Sequence, residues 1–156
     1  MSETVIDLLN QARSGELAAI LQYMVHHYEL EDADFGKLAK ILKTVAIEEM
    51  KHAEALAERI LFLGGTPTTK PDVEAKKGQE IAAMLATDIA LEAGAVKSYN
   101  ESAVRCSELR DQVSKDLFDK LLADEERHLD QFQNIKGHVD KLGAAYLATL
   151  AGGEAE

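Results

Sequence analysis

Four carboxylates, two imidazoles and two phenols interrupt otherwise apolar stripes in this chain, and they do so twice in the same order. Glu16 is followed by Tyr23, Glu49 and His52; Glu92 is followed by Tyr99, Glu125 and His128. The offsets 92 − 16, 99 − 23, 125 − 49 and 128 − 52 are all 76. Seven residues make nearly two helical turns, so each Glu shares a face with its Tyr, and an i, i+3 spacing puts each Glu on the same face as its His. These faces are the apolar ones. Four unpaired buried carboxylates would cost several kcal/mol each, and two divalent cations compensate: +4 against four charges of −1, with neutral imidazoles completing the shell. Two lone Glu plus two Glu-x-x-His pairs form the ligand set of di-iron and di-manganese carboxylate bundles, and mixed oxygen and imidazole donors suit iron or manganese better than a closed zinc site.

Long helices must carry these groups. Apolar residues recur at spacings of three and four over residues 4–30, 35–63, 78–105 and 111–137, and a shorter stretch at 140–150 carries Leu142, Tyr146, Leu147 and Leu150. Glu31, Asp32 and Asp34 read as capping carboxylates between the first two helices, and Gly64-Gly65 stops the second. Residues 64–77 hold both prolines and form the one long connection. The expected fold is all-α: a four-helix bundle with one long crossover and a short fifth C-terminal helix, in a single domain spanning residues 1–156. A simple up-down bundle is the alternative. The fifth helix carries an apolar face that a closed monomer does not need, which points to burial against other copies.

Composition removes other classes. With 156 residues, 46% of them hydrophobic, the chain can bury a full core. A formal net charge of −11 argues against nucleic-acid binding. No apolar run is long enough to span a membrane. One cysteine, Cys106, excludes a disulfide framework, and Met1-Ser2-Glu3-Thr4 carries no export signal, so a cytoplasmic location is expected.

Other residues carry weaker signals. Glu48 and Glu126 are rotated about 100° from the proposed ligands and read as surface groups or as partners of ligands. Asp88, one turn before Glu92, reads either as the partner of a ligand His or as a structural cap or surface group. His26, His27 and His138 have no matching partners and read as ordinary. The Tyr23 and Tyr99 hydroxyls either bond ligand carboxylates, or supply an electron, or are satisfied within the core. Met50 points off the di-metal face and from pattern alone fills a gap.

The segments Gly15-Glu16-Leu17-Ala18-Ala19-Ile20-Leu21-Gln22-Tyr23, Glu48-Glu49-Met50-Lys51-His52-Ala53-Glu54 and Asp124-Glu125-Glu126-Arg127-His128 resemble bacterioferritin. So do Glu58-Arg59-Ile60-Leu61-Phe62-Leu63-Gly64-Gly65 and Leu142-Gly143-Ala144-Ala145-Tyr146-Leu147. The resemblance implies a shell of 24 subunits built from dimers, storing ferric mineral. It implies a ferroxidase centre of two iron ions per subunit at Glu16, Glu49, His52, Glu92, Glu125 and His128. Glu49 and Glu125 would bridge the ions, and oxygen or hydrogen peroxide would oxidise Fe(II), with Tyr23 among the catalytic residues. It implies haem at the subunit dimer interface, ligated by Met50 beside Leu17, Ile20, Leu21, Met24 and Ile47, and a ferredoxin-like reductant for iron release. Leu56 and Gln131 stand where some relatives carry further aromatics. A discrete rubrerythrin-like di-iron peroxidase is the competing reading, but one cysteine cannot supply that class's four-cysteine iron site.

Overall fold

The computed structural model describes residues 3–153; Met1, Ser2 and the last three residues of the polar tail, 154–156, lie outside it. Five helices follow in order: α1 (Val5–Asp32), α2 (Gly36–Phe62), α3 (Ile81–Glu108), α4 (Gln112–Leu142) and α5 (Ala144–Thr149). The first four are long enough to span the bundle, and α1 packs along α2 as α3 packs along α4.

Local chemistry starts and stops them. Thr4 and Asp7 form a reciprocal capping box at the start of α1. Asp111 accepts from the Ser114 amide at the start of α4. Gly64, at φ 87°, takes the left-handed backbone that ends α2. The two tight turns repeat like the site residues: Asp34 (φ 64°) and Arg110 (φ 63°) both adopt the left-handed conformation, and 110 − 34 is again 76. The amide after each bonds back to the preceding helix, Phe35 to the Leu30 carbonyl and Asp111 to that of Cys106.

The acidic run before α2 does not cap it. The residue at that cap is Phe35, which makes no side-chain hydrogen bond. Asp34 lies in the turn, and its carbonyl accepts from the Gly152 amide at 2.7 Å while the Lys37 amide donates to the Gly152 carbonyl at 3.0 Å. The C-terminal tail therefore closes the start of α2. A Cβ at Gly36 would meet the Gly152 oxygen at 2.5 Å, so only glycine permits this approach.

The crossover decides the topology. Asn10 bonds the Thr66 carbonyl and the Thr68 amide, the Asp72 amide donates to the Ser14 carbonyl, Gln22 clamps both backbone groups of Lys76, and Glu29 accepts from the Gly78 amide. From Asn10 to Glu29 is about 28 Å of helix, so the connection runs along α1 for most of the bundle and the simple up-down alternative falls. Because Gly78 (φ 72°) and Gln79 are held in this strap, α3 begins at Ile81 rather than at 78.

The apolar interior forms two clusters. One contains Tyr23, Leu38, Leu42, Leu85 and Phe132; the other contains Leu9, Leu56, Ile60, Tyr99 and Phe118. The polar repeat occupies the level between them. Contrary to expectation, the α5 face does not await another copy: Leu150 is buried and Tyr146 and Leu147 pack on the first cluster, leaving Leu142 exposed. The short helix folds back over the end of its own bundle, so this face says nothing about assembly.

Candidate metal centre

All six carboxylate and imidazole residues of the repeat are buried at mid-bundle. They fall into two groups, Glu16, Glu49, His52 and Glu125, and Glu49, Glu92, Glu125 and His128, each with candidate ligand atoms within 4.8 Å of one another. Glu49 and Glu125 belong to both. Each group thus has one lone Glu, one His and two shared carboxylates, the pattern that two adjacent cations require.

Each imidazole turns its Nδ1 inward. His52 Nδ1 lies 2.8 Å from Glu125, 3.2 Å from Glu49 and 3.6 Å from Glu16; His128 Nδ1 lies 3.4 Å from Glu49 and 3.6 Å from Glu92. The Nε2 atoms point the other way. His52 Nε2 meets Asp124 at 2.8 Å and His128 Nε2 meets Glu48 at 2.6 Å. A carboxylate on Nε2 leaves the Nδ1 lone pair for a cation. Glu48 and Asp124 are 76 residues apart as well, and the Arg127 guanidinium joins them at 2.9 and 3.1 Å. Of the two carboxylates adjoining the candidate ligands Glu49 and Glu125, Glu48 reaches His128; Glu126 is exposed.

The tyrosines cross between halves. Tyr23 donates to Glu92 at 2.6 Å, and Tyr99 donates to Glu16. Each ring also packs on a phenylalanine, Tyr23 on Phe132 and Tyr99 on Phe118, which fixes where the hydroxyl points. Glu16 and Glu92 each keep their second oxygen without a hydrogen bond, as do both oxygens of Glu125 and the Nδ1 atoms of both histidines, among the described residues. Buried polar atoms are seldom left so. Their inward convergence fits a pair of cations.

The electrostatics agree. Burial, reinforced by the Glu49 charge, pushes Glu16 up to about 8. Burial and the Glu16 charge push Glu125 far above the carboxylate range. Burial works against an ionised Glu49 too, but the His128 and His52 imidazoles beside it hold it down at about 2. Burial disfavours charged imidazoles, yet the surrounding carboxylates overcome it and raise His52 to about 11 and His128 to about 10. Carboxylates gathered this closely favour protonation, and imidazoles among them favour the charged form.

Comparison with known proteins agrees with this geometry. A family model described as a ferritin-like domain matches residues 6–142. The chain is 43% identical to a bacterioferritin of Desulfovibrio desulfuricans over 148 residues, 95% of this chain and 83% of that protein. The chain belongs to the bacterioferritin family. A bacterioferritin of Brucella melitensis is 41% identical over 139 residues, covering 89% of this chain and 86% of that one. Among solved bacterioferritins, the Desulfovibrio desulfuricans structure, which has a diiron site, superposes with a TM-score of 0.93 at 41% identity, over 97% of this chain and 92% of that chain. A Mycobacterium tuberculosis bacterioferritin gives 0.91 at 32% identity, over 97% and 98%.

Two sequence readings need correction. Asp88 touches neither His52 nor His128. It faces His26, at 2.9 Å from Nδ1, and both are fully buried. His26 is therefore not an ordinary unpaired histidine: its Nε2 reaches Gln79 at 2.9 Å and Gln22 at 3.0 Å, tying the crossover to α1 and α3. Their separation of 62 positions is not part of the 76-residue repeat, so spacing gave no sign of the pair. His27 meets the Ala39 carbonyl, and His138 packs on Tyr146.

Met50 is 54% exposed on the outer side of α2, close in exposure to Leu21 at 50% and Ile47 at 40%. These side chains are apolar yet unburied, as an apolar group or a second copy lying on that face requires. Among the described residues, no helix is long and apolar enough to cross a membrane.

Proposed function

We propose that this chain is an iron-storing ferroxidase in the cytoplasm, one domain over residues 1–156, whose reaction occurs where the two residue groups share Glu49 and Glu125. That sharing is the observation that carries the reading. A site for one ion needs no second terminal set, whereas Glu16 with His52 and Glu92 with His128 provide matching ends for two ferrous ions. Held in this pair, the ions give up one electron each to oxygen or hydrogen peroxide and leave as ferric iron for mineral storage.

The protein's own part is electrostatic and geometric. Ionised Glu49 attracts the incoming cations, and Glu16, Glu125, His52 and His128 surrender protons as they bind. Tyr23 and Tyr99 hold one oxygen of Glu92 and of Glu16, leaving the other aimed at the metal position. Glu48 and Asp124 keep the imidazoles turned correctly. The flanking apolar clusters close the centre along the bundle axis.

Subunits assemble through dimers into a 24-subunit shell in this reading, with haem between paired copies on Met50. The exposed strip of Met50, Leu21 and Ile47 fits a flat apolar group with a sulfur on each side, and haem would supply an electron route for iron release to a ferredoxin-like partner. The bacterioferritins that the chain resembles favour this over a discrete rubrerythrin-like peroxidase.

The test combines size with chemistry. The native particle is expected near the mass of 24 chains; a stable monomer or dimer refutes storage. Glu49→Ala with Glu125→Ala is expected to abolish rapid Fe(II) oxidation, and an unchanged rate refutes the ligand set. Met50→Leu is expected to lose the haem spectrum.

A further inference from the structure

The centre is sealed on one side and open on the other. Towards α2 and α4 it is closed by His52, His128 and the Glu48–Arg127–Asp124 bridge. Towards α1, α3 and the crossover lies a cavity of about 410 Å³ whose lining includes Glu16, Glu49, Glu92 and Glu125 at one end and Asp72 with Val73 at the other. The unpartnered second oxygens of Glu16 and Glu92 belong to residues only 1% exposed, so the cavity ends on buried oxygens that lack partners.

Its walls are kept small. Gly15 and Gly94 both line it from helix interiors, where glycine costs about 1 kcal/mol relative to alanine. Neither position needs glycine for backbone reasons. A Cβ on Gly94 would meet nothing within 4 Å, and one on Gly15 would meet only the Asp72 carboxylate oxygen, at 3.7 Å. What these glycines provide is open space, and Asp72 stands over it.

We propose that Asp72 is the first ligand of an incoming divalent cation, a docking carboxylate that hands Fe(II) past Gly15 to Glu16 and Glu92. The crossover places it there: the Asp72 amide is tied to the Ser14 carbonyl, one residue before Gly15 and two before Glu16. Its carboxylate is exposed and accepts no hydrogen bond from the described residues, so both oxygens are available to a hydrated ion. Glu16, Glu92 and Asp72 thus form a graded series, from one exposed carboxylate to two buried ones, along which the ion exchanges water for protein oxygen. The assignment rests on the ferroxidase reading and deepens it.

Asp72→Asn keeps the shape of the strap and removes the charge. Uptake of Co(II) without oxygen, where the ion stays divalent, is followed by stopped-flow absorbance at several ionic strengths, with equilibrium stoichiometry measured alongside. Glu101→Gln, exposed on α3, controls for net charge. Asp72→Asn is expected to slow uptake about threefold to tenfold at low salt, with weaker salt dependence, while still binding two ions per subunit. Fe(II) oxidation is expected to show a raised KM at unchanged kcat. Gly94→Leu, which fills the cavity, is expected to slow uptake further at the same stoichiometry.

Uptake by Asp72→Asn equal to that of Glu101→Gln overturns the docking role. Loss of an equilibrium ion from Asp72→Asn overturns it as well, by making Asp72 part of the centre. Unimpaired uptake by Gly94→Leu overturns the route. Failure of the unaltered protein to bind two ions overturns the ferroxidase reading itself.

Discussion

Loading the centre with metal should expel about four protons per subunit at neutral pH. Glu16 at about 8, Glu125 far higher, His52 at about 11 and His128 at about 10 all hold a proton at pH 7, whereas Glu49 at about 2 does not. Ligation needs ionised carboxylates and neutral imidazoles, so each of those four protons must leave, two for each of two ions. The direction follows: groups with raised values favour the empty form at low pH, and affinity climbs as pH rises. Two protons per ion mean about a hundredfold change in affinity per pH unit, worth about 2.7 kcal/mol per ion. Above pH 8 Glu16 is already ionised, and the count falls to about three. Calorimetric titration with Zn(II) in buffers of different protonation enthalpy measures this number directly. Release of one proton or none at pH 7, or an affinity independent of pH between 6 and 8, would refute the assignment of charges. The same burial destabilises the metal-free fold. Glu16 has a folded value above the unfolded 4.5, so apo stability declines as pH rises from 4.5 towards 8, read by denaturant unfolding across that range.

Removing the carboxylate behind a histidine should loosen the metal without unfolding the bundle: Glu48→Ala or Asp124→Ala is expected to lower Zn(II) affinity by about ten- to a hundredfold, read by competition with a chelator. Asp88→Ala leaves buried His26 without its anion and is expected to cost about 3 to 5 kcal/mol in denaturant unfolding, with two-ion stoichiometry retained. Gly36→Ala forces a Cβ against the Gly152 carbonyl; a loss of about 1 to 3 kcal/mol and earlier hydrogen exchange at Lys37 are expected.

The 76-residue repeat, the inward direction of Glu16, Glu49, His52, Glu92, Glu125 and His128, and the four long helices were legible in the residues alone. Helical periodicity ties spacing to direction, so a polar residue on an apolar stripe announces its own burial. That carboxylates cannot be buried together without compensation pointed from there to cations. Partners across elements were not legible. Tyr23 reaches Glu92 and not the Glu16 of its own helix, Asp88 meets His26 and neither His52 nor His128, and Gly152, not the acidic residues nearby, caps α2. α5 covers its own bundle, although an apolar face looks the same whichever surface buries it. Spacing within a helix determines which way a side chain points. What it touches depends on how the helices slide along and cross one another, and on the path of the crossover over α1, and only the packed tertiary structure sets those.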